Sequence, residues 1–471
     1  EDENIAQAVP NARASQWMEE NIPLFECSQK NFEEMYYYRW WTLRKHIKET
    51  PVGYGMTEFL VNRSYADKYN LIACAIGHHI YESRWLRNPE YLNQIIHTWY
   101  RGNEGGPMAK MTKFSSWNAD AVLGRYMVDG NKEFLLDMVK DLEAEYARWE
   151  KTNRLSNGLY WQGDVQDGME ESISGGRRKQ YARPTINSYM YGNAKALSLI
   201  GIMTGDEGMA MKYGLKADSI KTLVQDKLWN TDHHFFETMR GDASAEVREA
   251  IGYIPWYFNL PDASSQYDVA WKEVMDEKGF SAPYGLTTAE RRHPEFRTHG
   301  VGKCEWDGAI WPFASAQTLT AMANFMNNYP QTVLTDSVYF HQMERYVESQ
   351  HHRGRPYIGE YLDEVTGYWL KGDQERSRYY NHSTFNDLMI TGLIGLRPRM
   401  DNTVEVNPLI PEGKWDYFCL DNVLYHGRNL TILWDKDGSR YQRGKGLHIY
   451  VDGKEVGHAD TLTRVFCENV L

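Results

Sequence analysis

The stretch 132–152, KEFLLDMVKDLEAEYARWEKT, and the stretch 188–204, SYMYGNAKALSLIGIMT, decide the fold because apolar residues recur in both at helical spacing. A long loop at 157–184, rich in glycine, aromatic and acidic residues, separates the two helices. The same alternation of long helices and long loops runs from about residue 15 to about residue 395. It predicts a mainly α toroid of paired helices, in which loops at the inner helix ends share one face. Further predicted helices cover 70–84, 89–101, 209–228, 309–327 and 335–348.

After Pro398 the pattern changes to alternating apolar and polar residues with strand-type side chains. The turn signals Asp437-Gly438 and Asp452-Gly453 stand within this segment. We therefore predict a toroid over 1–397 and a small antiparallel β domain over 398–471, packed on the toroid. The predicted strand segments are 403–406, 415–434 and 446–453.

Composition narrows the class of partner. The 471 residues carry a net charge of -12 with acidic and basic residues interspersed, which argues against nucleic acid or an anionic membrane surface as partner. No window approaches about eighteen unbroken apolar residues, so we predict no membrane span. Aromatic residues make up 14% of the chain, with 16 Trp and 32 Tyr. Such a content fits either a large helical core or surfaces that stack on sugar rings.

Cysteine usage indicates neither a disulfide framework nor a metal cluster. The five cysteines are an odd number, are widely spaced and include no CxxC pair. We therefore predict no metal and no cofactor. The chain begins at Glu1, and we expect a removed leader and a periplasmic or secreted protein. The oligomeric state stays open. The cysteines are Cys27, Cys74, Cys304, Cys419 and Cys467.

The first candidate site is the loop 158–174, GLYWQGDVQDGMEESIS, in which several carboxylates lie close to Trp161. Clustered carboxylates in an aromatic loop are costly unless they are solvated, paired or used in chemistry. Glu170 or Glu171 in such a setting suits a general acid. The alternative interpretation is a solvated acidic turn.

Two further loops combine carboxylates with aromatic residues. The stretch 355–369, RPYIGEYLDEVTGYW, offers Glu360, Asp363 and Glu364 as general bases, or is a surface loop with a Thr-Gly turn. The stretch 305–313, EWDGAIWPF, predicts a rigid aromatic platform, or an aromatic-packed helix entry.

A fourth aromatic stretch, 36–44, reads YYYRWWTLR and is followed by Glu58, Arg63 and the pair His78-His79. The arginines, including Arg39, fit structural ion pairs better than substrate contacts on residue type alone. Adjacent histidines do not share a helix face, so we do not predict a metal pair.

Three motifs in order resemble the inverting toroid glycoside hydrolases that include trehalase, glycoside hydrolase family 63 and mannosylglycerate hydrolase-like domains. Residues 168–172 occupy the family's G-[MW]-D-x-S acid motif, with Glu170 in place of Asp. Residues 306–312 match W-x-G-x-x-W-P. Residues 360–367 are similar to the base motif E-x-Y-[ND]-x-x-T-G, with Leu362 at the Tyr position. The resemblance covers about 65–397 and extends to Bacteroidetes enzymes of polysaccharide utilisation.

The resemblance implies an (α/α)6 barrel of the six-hairpin glycosidase type. It also implies an exo-acting hydrolase of oligo- or polysaccharides that inverts the configuration at the anomeric carbon. It implies Glu170 as general acid, with Glu171 as rival, and Glu360 as general base. The carboxyl groups of such an inverting pair stand roughly 6.5–9.5 Å apart. The substrate-binding residues that we predict are Arg39, Arg63, Trp161, Trp306, Asp307, Trp311, Tyr357 and Asp363.

Other functions stay open at this point. One is a β-L-arabinofuranosidase of the toroid type. Another is a carbohydrate-binding protein without catalysis, which the altered acid motif would fit. A polysaccharide lyase or sugar epimerase is a third, since both use helical toroids. The residue types in 36–39 and in His78-His79 would suit a lyase, although they form no ordered motif.

Overall fold

The computed structural model describes residues 7–471. Within these residues no helix has both the length and the apolar composition that crossing a bilayer requires. The α-helices are α1 Ala14–Asn21, α2 Lys30–Lys45, α3 Ile76–Ser83, α4 Pro89–Arg101, α5 Asn118–Asp129, α6 Lys132–Asn153, α7 Pro184–Thr204, α8 Glu207–Lys227, α9 Ile254–Tyr257, α10 Ser265–Asp268, α11 Pro312–Asn328, α12 Asp336–Ser349 and α13 Phe385–Leu388.

Six helices form a closed inner ring, which confirms the predicted toroid. Each of α3, α5, α7, α9, α11 and α13 contacts the next, and α13 contacts α3. The outer helices α4, α6, α8, α12 and α2 pack on α3, α5, α7, α11 and α13 respectively. Because an inner helix meets neighbours on every side, α7 and α11 are buried along most of their length instead of along one stripe.

Helix starts follow local backbone chemistry. The predicted helix 70–84 begins only at Ile76, because Tyr69 and Asn70 have φ values of 61° and 63° that helical backbone does not allow. Conversely, α7 begins at Pro184, four residues before the predicted start at Ser188. Proline fits the first helical position, where its missing N–H costs nothing.

The strands are β1 Leu24–Cys27, β2 Ile47–Thr50, β3 Gly53–Met56, β4 Trp161–Gln162, β5 Tyr181–Ala182, β6 Trp229–Asn230, β7 Phe235–Phe236, β8 Met239–Arg240, β9 Ala243–Ser244, β10 Ser281–Ala282, β11 Gly285–Leu286, β12 His351–His352, β13 Arg355–Pro356, β14 Leu396–Arg397, β15 Val404–Val406, β16 Tyr417–Tyr425, β17 Arg428–Asp435, β18 Gly446–Val451, β19 Lys454–Ala459 and β20 Val465–Cys467. The C-terminal part is a five-stranded antiparallel sheet in the order β1-β16-β17-β18-β19, beside a three-stranded sheet β14-β15-β20.

The C-terminal sheets also use residues from before position 398. Strand β1 pairs with β16, with Phe25 opposite Leu420, and β14 pairs with β15. The boundary predicted at 397/398 therefore leaves out an edge strand near the N-terminus. Four residues are too few for an alternating pattern to stand out, and the partner of β1 lies far along the chain.

Buried polar contacts close the inner ring between its first and last helices. Arg84, directly after α3, donates to Asp387 of α13 from Nε at 2.9 Å and forms an ion pair with it at 2.8 Å. Trp85 donates to the same carboxylate at 2.7 Å. Glu82 accepts from the backbone N–H groups of Asn386 and Asp387 at 2.9 and 2.8 Å. The start of α13 is thereby fixed to the end of α3.

We predict that Arg84→Met destabilises the fold far more than Arg101→Met. Removing Arg84 leaves Asp387 buried without its cation, which costs about 3–5 kcal/mol. Arg101 pairs with Asp137 and Asp141 at a site about one third exposed, where pairs contribute roughly 0–1 kcal/mol. Denaturant midpoints measured on both variants check the difference, and equal midpoints would contradict the role of Arg84.

Candidate active site

Loops that precede five of the six inner helices meet in one pocket of about 210 Å³. Three carboxylic acids, Glu58, Glu170 and Glu360, face this space together. Mutual repulsion prevents three adjacent carboxylates from ionising freely, so their protonation depends on the surroundings of each. The lining residues are Glu58, Phe59, Tyr65, Ile72, Cys74, Lys113, Phe114, Gly168, Glu170, Cys304, Trp311, Glu360, Arg376 and Tyr380.

The loop that carries Glu170 is fixed to the start of α7. The buried Asp167 accepts from Arg183 at 2.6 Å and from Thr185 at 2.5 Å. Gly168 follows with a φ of 71°, a left-handed conformation that favours glycine. This turn directs Glu170 into the pocket, where it lines the same wall as Cys74.

Burial raises the pKa of Glu170 to about 7, with smaller contributions from the negative charges of Glu360 and Asp164. Its side chain is therefore largely protonated at a slightly acidic pH, as a general acid requires. The rival Glu171 does not line this pocket; it forms an ion pair with Arg177 and is 4.0 Å from Lys303. It lines only the outer rim, which consists of Glu170, Glu171, Arg177, Gly302, Lys303, Cys304, Lys371, Gln374 and Arg376. The backbone of Glu171 is left-handed, with a φ of 69°, so the side chains of Glu170 and Glu171 point in different directions.

Glu360 lies on the opposite loop, between α12 and α13, and is almost fully buried. Its carboxylate is 3.6 Å from the Lys371 Nζ and 3.5 Å from the Arg376 guanidinium. Its backbone N–H donates to Ser377 at 3.2 Å. A carboxylate between two cations is suited to act in its charged form, as a general base must.

Glu58 is a site residue that the sequence analysis did not predict. Its Oε1 accepts from the Tyr380 hydroxyl at 2.6 Å and its Oε2 accepts from the Cys74 thiol at 3.2 Å. Burial raises its pKa to about 8, with smaller contributions from Glu360 and Glu170. The available signal was a lone acidic residue among apolar neighbours, which belongs to no recognisable motif.

The two tryptophans of the predicted platform stack on each other, with different roles for the two rings. Trp311 lines the pocket, and its ring stacks on Trp306 at 4.4 Å and on Tyr361 at 4.5 Å between centroids. Its indole N–H donates to the Glu305 carbonyl at 3.1 Å. Trp306 does not line the pocket, and both tryptophans are buried, so the stack of Trp306, Trp311 and Tyr361 is a packed part of the pocket wall and not an open platform.

Two carboxylates that we predicted to bind substrate accept hydrogen bonds from nearby groups of the chain instead. Asp307 is buried and accepts from the N–H groups of His299 and Gly300 at 2.6 and 3.0 Å. Asp363 accepts from the N–H and hydroxyl of Thr366, both at 2.9 Å, and closes the predicted Thr-Gly turn. Neither lines the pocket, because local N–H groups satisfy short acidic side chains at turns more readily than a distant ligand does.

Four other predicted contacts also lie outside the pocket lining. Arg39 is buried and donates to Gln350 at 2.8 Å and to Ser383 at 2.7 Å. The Arg63 guanidinium packs on the rings of Phe59 and Tyr65, two lining residues. Trp161 belongs to strand β4, and Tyr357 lines a separate groove. Among residues 7–471 no group of three or more His, Cys, Asp or Glu could hold a metal ion.

Comparisons with known proteins agree with this architecture. Residues 68–383 match the model of the mannosylglycerate hydrolase MGH1-like glycoside hydrolase domain. Residues 396–458 match the C-terminal domain of glycosyl hydrolase family 65. A solved Bacteroides protein named sialidase is 84% identical over 100% of this chain, with a TM-score of 0.99. This chain spans only 44% of that protein.

More distant solved structures share the fold alone. The family 63 mannosylglycerate hydrolase of Thermus thermophilus is 10% identical, with a TM-score of 0.57, over 75% of this chain and 98% of its own. The family 78 rhamnosidase of a Bacillus species is 10% identical, with a TM-score of 0.60, over 88% of this chain and 40% of its own.

We predict that the free energy of unfolding of the Glu58→Gln variant, compared with that of the wild type at the same pH, increases as pH rises from about 4.5 to about 8. The folded state raises the pKa of Glu58 from 4.5 to about 8, so unfolding releases a proton in this window and wild-type stability falls as pH rises. Glutamine carries no such proton. Melting midpoints of both proteins across this range test the prediction. Glu171→Gln at the rim is the control, and an equal pH trend in both variants would contradict the assignment.

Proposed function

The chain belongs to the mannosylglycerate hydrolase MGH1-like glycoside hydrolase family, and we propose that it cleaves a terminal glycosidic bond with inversion. In this proposal Glu170 is the general acid and Glu360 the general base. One observation supports it above the others: the two carboxyl groups face one pocket in opposite electrostatic settings. Glu170 has its pKa raised to about 7, whereas Glu360 lies between two cations.

The proposed reaction moves one proton at each end. Glu170 protonates the glycosidic oxygen as the bond from that oxygen to the anomeric carbon breaks, through an oxocarbenium-like transition state. Glu360 takes a proton from a water molecule, whose oxygen bonds to the opposite face of the anomeric carbon. The products are a sugar with inverted configuration and a free leaving-group hydroxyl. Exchange with solvent then restores the proton on Glu170 and removes the proton from Glu360.

The dimensions of the pocket favour exo action. A volume of about 210 Å³ lies below the roughly 300–1,000 Å³ that is typical of ligand sites, so it suits one sugar unit. The aromatic residues Phe59, Phe114 and Trp311 in its lining can contact the apolar C–H groups of a sugar. Glu58, protonated at neutral pH and held by Tyr380, is placed to exchange hydrogen bonds with sugar hydroxyls.

A second candidate activity is the release of sialic acid, which the name of the 84% identical protein suggests. Lys113 and Arg376 line the pocket and are cations that an acidic sugar would contact. That name belongs to a protein more than twice as long, so another part of it can account for the activity. A substrate panel should therefore include sialosides beside neutral aryl glycosides and plant oligosaccharides.

We predict that Glu170→Gln and Glu360→Gln respond differently to the leaving group. General acid catalysis contributes about 10²–10⁴-fold, and a dinitrophenolate needs little protonation. Glu170→Gln should lose this factor on an oligosaccharide yet retain most activity on the dinitrophenyl glycoside of the same sugar. Glu360→Gln should lose activity on both. Proton NMR of the first product identifies its anomer, and retained configuration or similar losses in both variants would overturn the mechanism.

We predict that kcat/KM on oligosaccharides falls as pH rises through about 7, because deprotonation of the pocket carboxyls removes the acid. This fall in kcat/KM at high pH should be absent with the dinitrophenyl substrate, which does not need the acid. Glu171→Gln should leave the fall in place, since the rim carboxyl does not transfer the proton. A fall that persists with the dinitrophenyl substrate would assign the titration to another group.

A further inference from the structure

A groove of about 1030 Å³ lies beside the pocket and has no role in the proposed reaction. Its lining includes the aromatic residues Tyr38, Trp41, Tyr357 and Tyr379 together with charged residues from two loops. The groove is much larger than the pocket, so it has room for several sugar units.

The groove and the pocket are lined by neighbouring residues of the same loops. One loop contributes Tyr357 to the groove and Glu360 to the pocket. The other contributes Tyr379 to the groove and Tyr380 to the pocket. Gln374 lines both the groove and the outer rim, which also includes Glu170. A chain that leaves the pocket past the general acid can therefore enter the groove at Gln374.

The aromatic side of the groove is a platform on α2. The rings of Tyr38 and Trp41 stack at 6.1 Å between centroids with 24° between their planes, and both remain partly exposed. Flat, partly exposed rings next to a cleft stack on the C–H faces of sugars. The buried ammonium of Lys45 is 4.2 Å from the centroid of the Trp41 ring and donates to Asn11 at 2.9 Å, which helps to hold this ring in place.

The groove is also lined by charged residues, namely Arg353, Arg355, Arg378, Asp373 and Glu375. Arg378 packs on the ring of Tyr379 at 4.9 Å and so belongs to the aromatic side. Asp373 is already paired with Arg353 at 2.9 Å and contacts His352 at 3.2 Å. Arg355 is exposed, and no carboxylate among residues 7–471 lies within ion-pair distance of it. A guanidinium so placed suits a ligand carboxylate.

We propose that this groove binds the leaving-group side of an oligosaccharide that carries a uronate carboxylate. Arg355 pairs with the carboxylate, and the Tyr38–Trp41 platform stacks on a neighbouring sugar ring. The direction of the chain, with its cleaved end in the pocket, rests on the proposed hydrolase function. Recognition of an acidic chain by the groove does not depend on turnover.

The test measures binding without cleavage, in protein that carries Glu170→Gln. The probes are tetragalacturonate and the same tetramer after reduction of its carboxyl groups. We expect the acidic probe to bind about ten-fold tighter or more, which is what one charge-assisted contact supplies. Adding Arg355→Gln should abolish this preference, and adding Trp41→Ala should weaken both probes. Arg428→Gln, an exposed arginine on the C-terminal sheet, is the matched control and should change neither.

Equal affinity for both probes, no binding of either, or a preference that survives Arg355→Gln overturns the inference. Melting midpoints within about a degree of the parent show that each variant is folded. Turnover of the substrate panel by the wild-type protein is measured separately. Hydrolysis without an acidic preference rejects the groove proposal alone. An acidic preference without any hydrolysis rejects the proposed function and leaves the groove proposal in place.

Discussion

The active site depends on closure of the inner helix ring by the buried contact between Arg84 and Asp387. Closing the ring brings the loop before α3 against the loop before α13, although they are more than 300 residues apart in sequence. There Asn381 donates from its backbone to the Glu58 carbonyl at 2.9 Å and from its side chain to the Thr57 carbonyl at 3.1 Å. The same approach places Tyr380 on Glu58. The pocket is thus complete only when the ring is closed.

Three carboxyl groups in a small pocket create an electrostatic conflict that the structure resolves unequally. Glu58 and Glu170 lose solvent, and within residues 7–471 neither has a cation at ion-pair distance, so burial favours their neutral forms. Glu360 faces Lys371 and Arg376, which compensate its charge. In the proposed mechanism, acid and base therefore differ through their surroundings and not through residue type.

Sequence reasoning succeeded where the signal was local and failed where it was not. Long helices such as Lys132–Asn153 follow from apolar spacing, whereas the four-residue α9 and strand β1 are too short to show a period. Motif order located the loops of Glu170, Trp311 and Glu360, which the structure brings together. It did not locate Glu58, which lies before residue 68, where the family match begins. Its partners come from distant segments that only the folded ring assembles.

Under the proposed function, the loops that line both the groove and the pocket connect recognition of the chain to positioning of the bond. Tyr357 and Glu360 are on one loop, so a ligand that orders the groove would also order the backbone that holds the proposed base. Tyr379 and Tyr380 connect the groove to Glu58 in the same way. In this proposal, binding energy from sugars remote from the reacting bond holds the glycosidic oxygen near Glu170, where it increases the rate instead of only the affinity. The proposed combination of a small pocket and a separate groove thereby joins selection of one terminal sugar to selection of the chain that carries it.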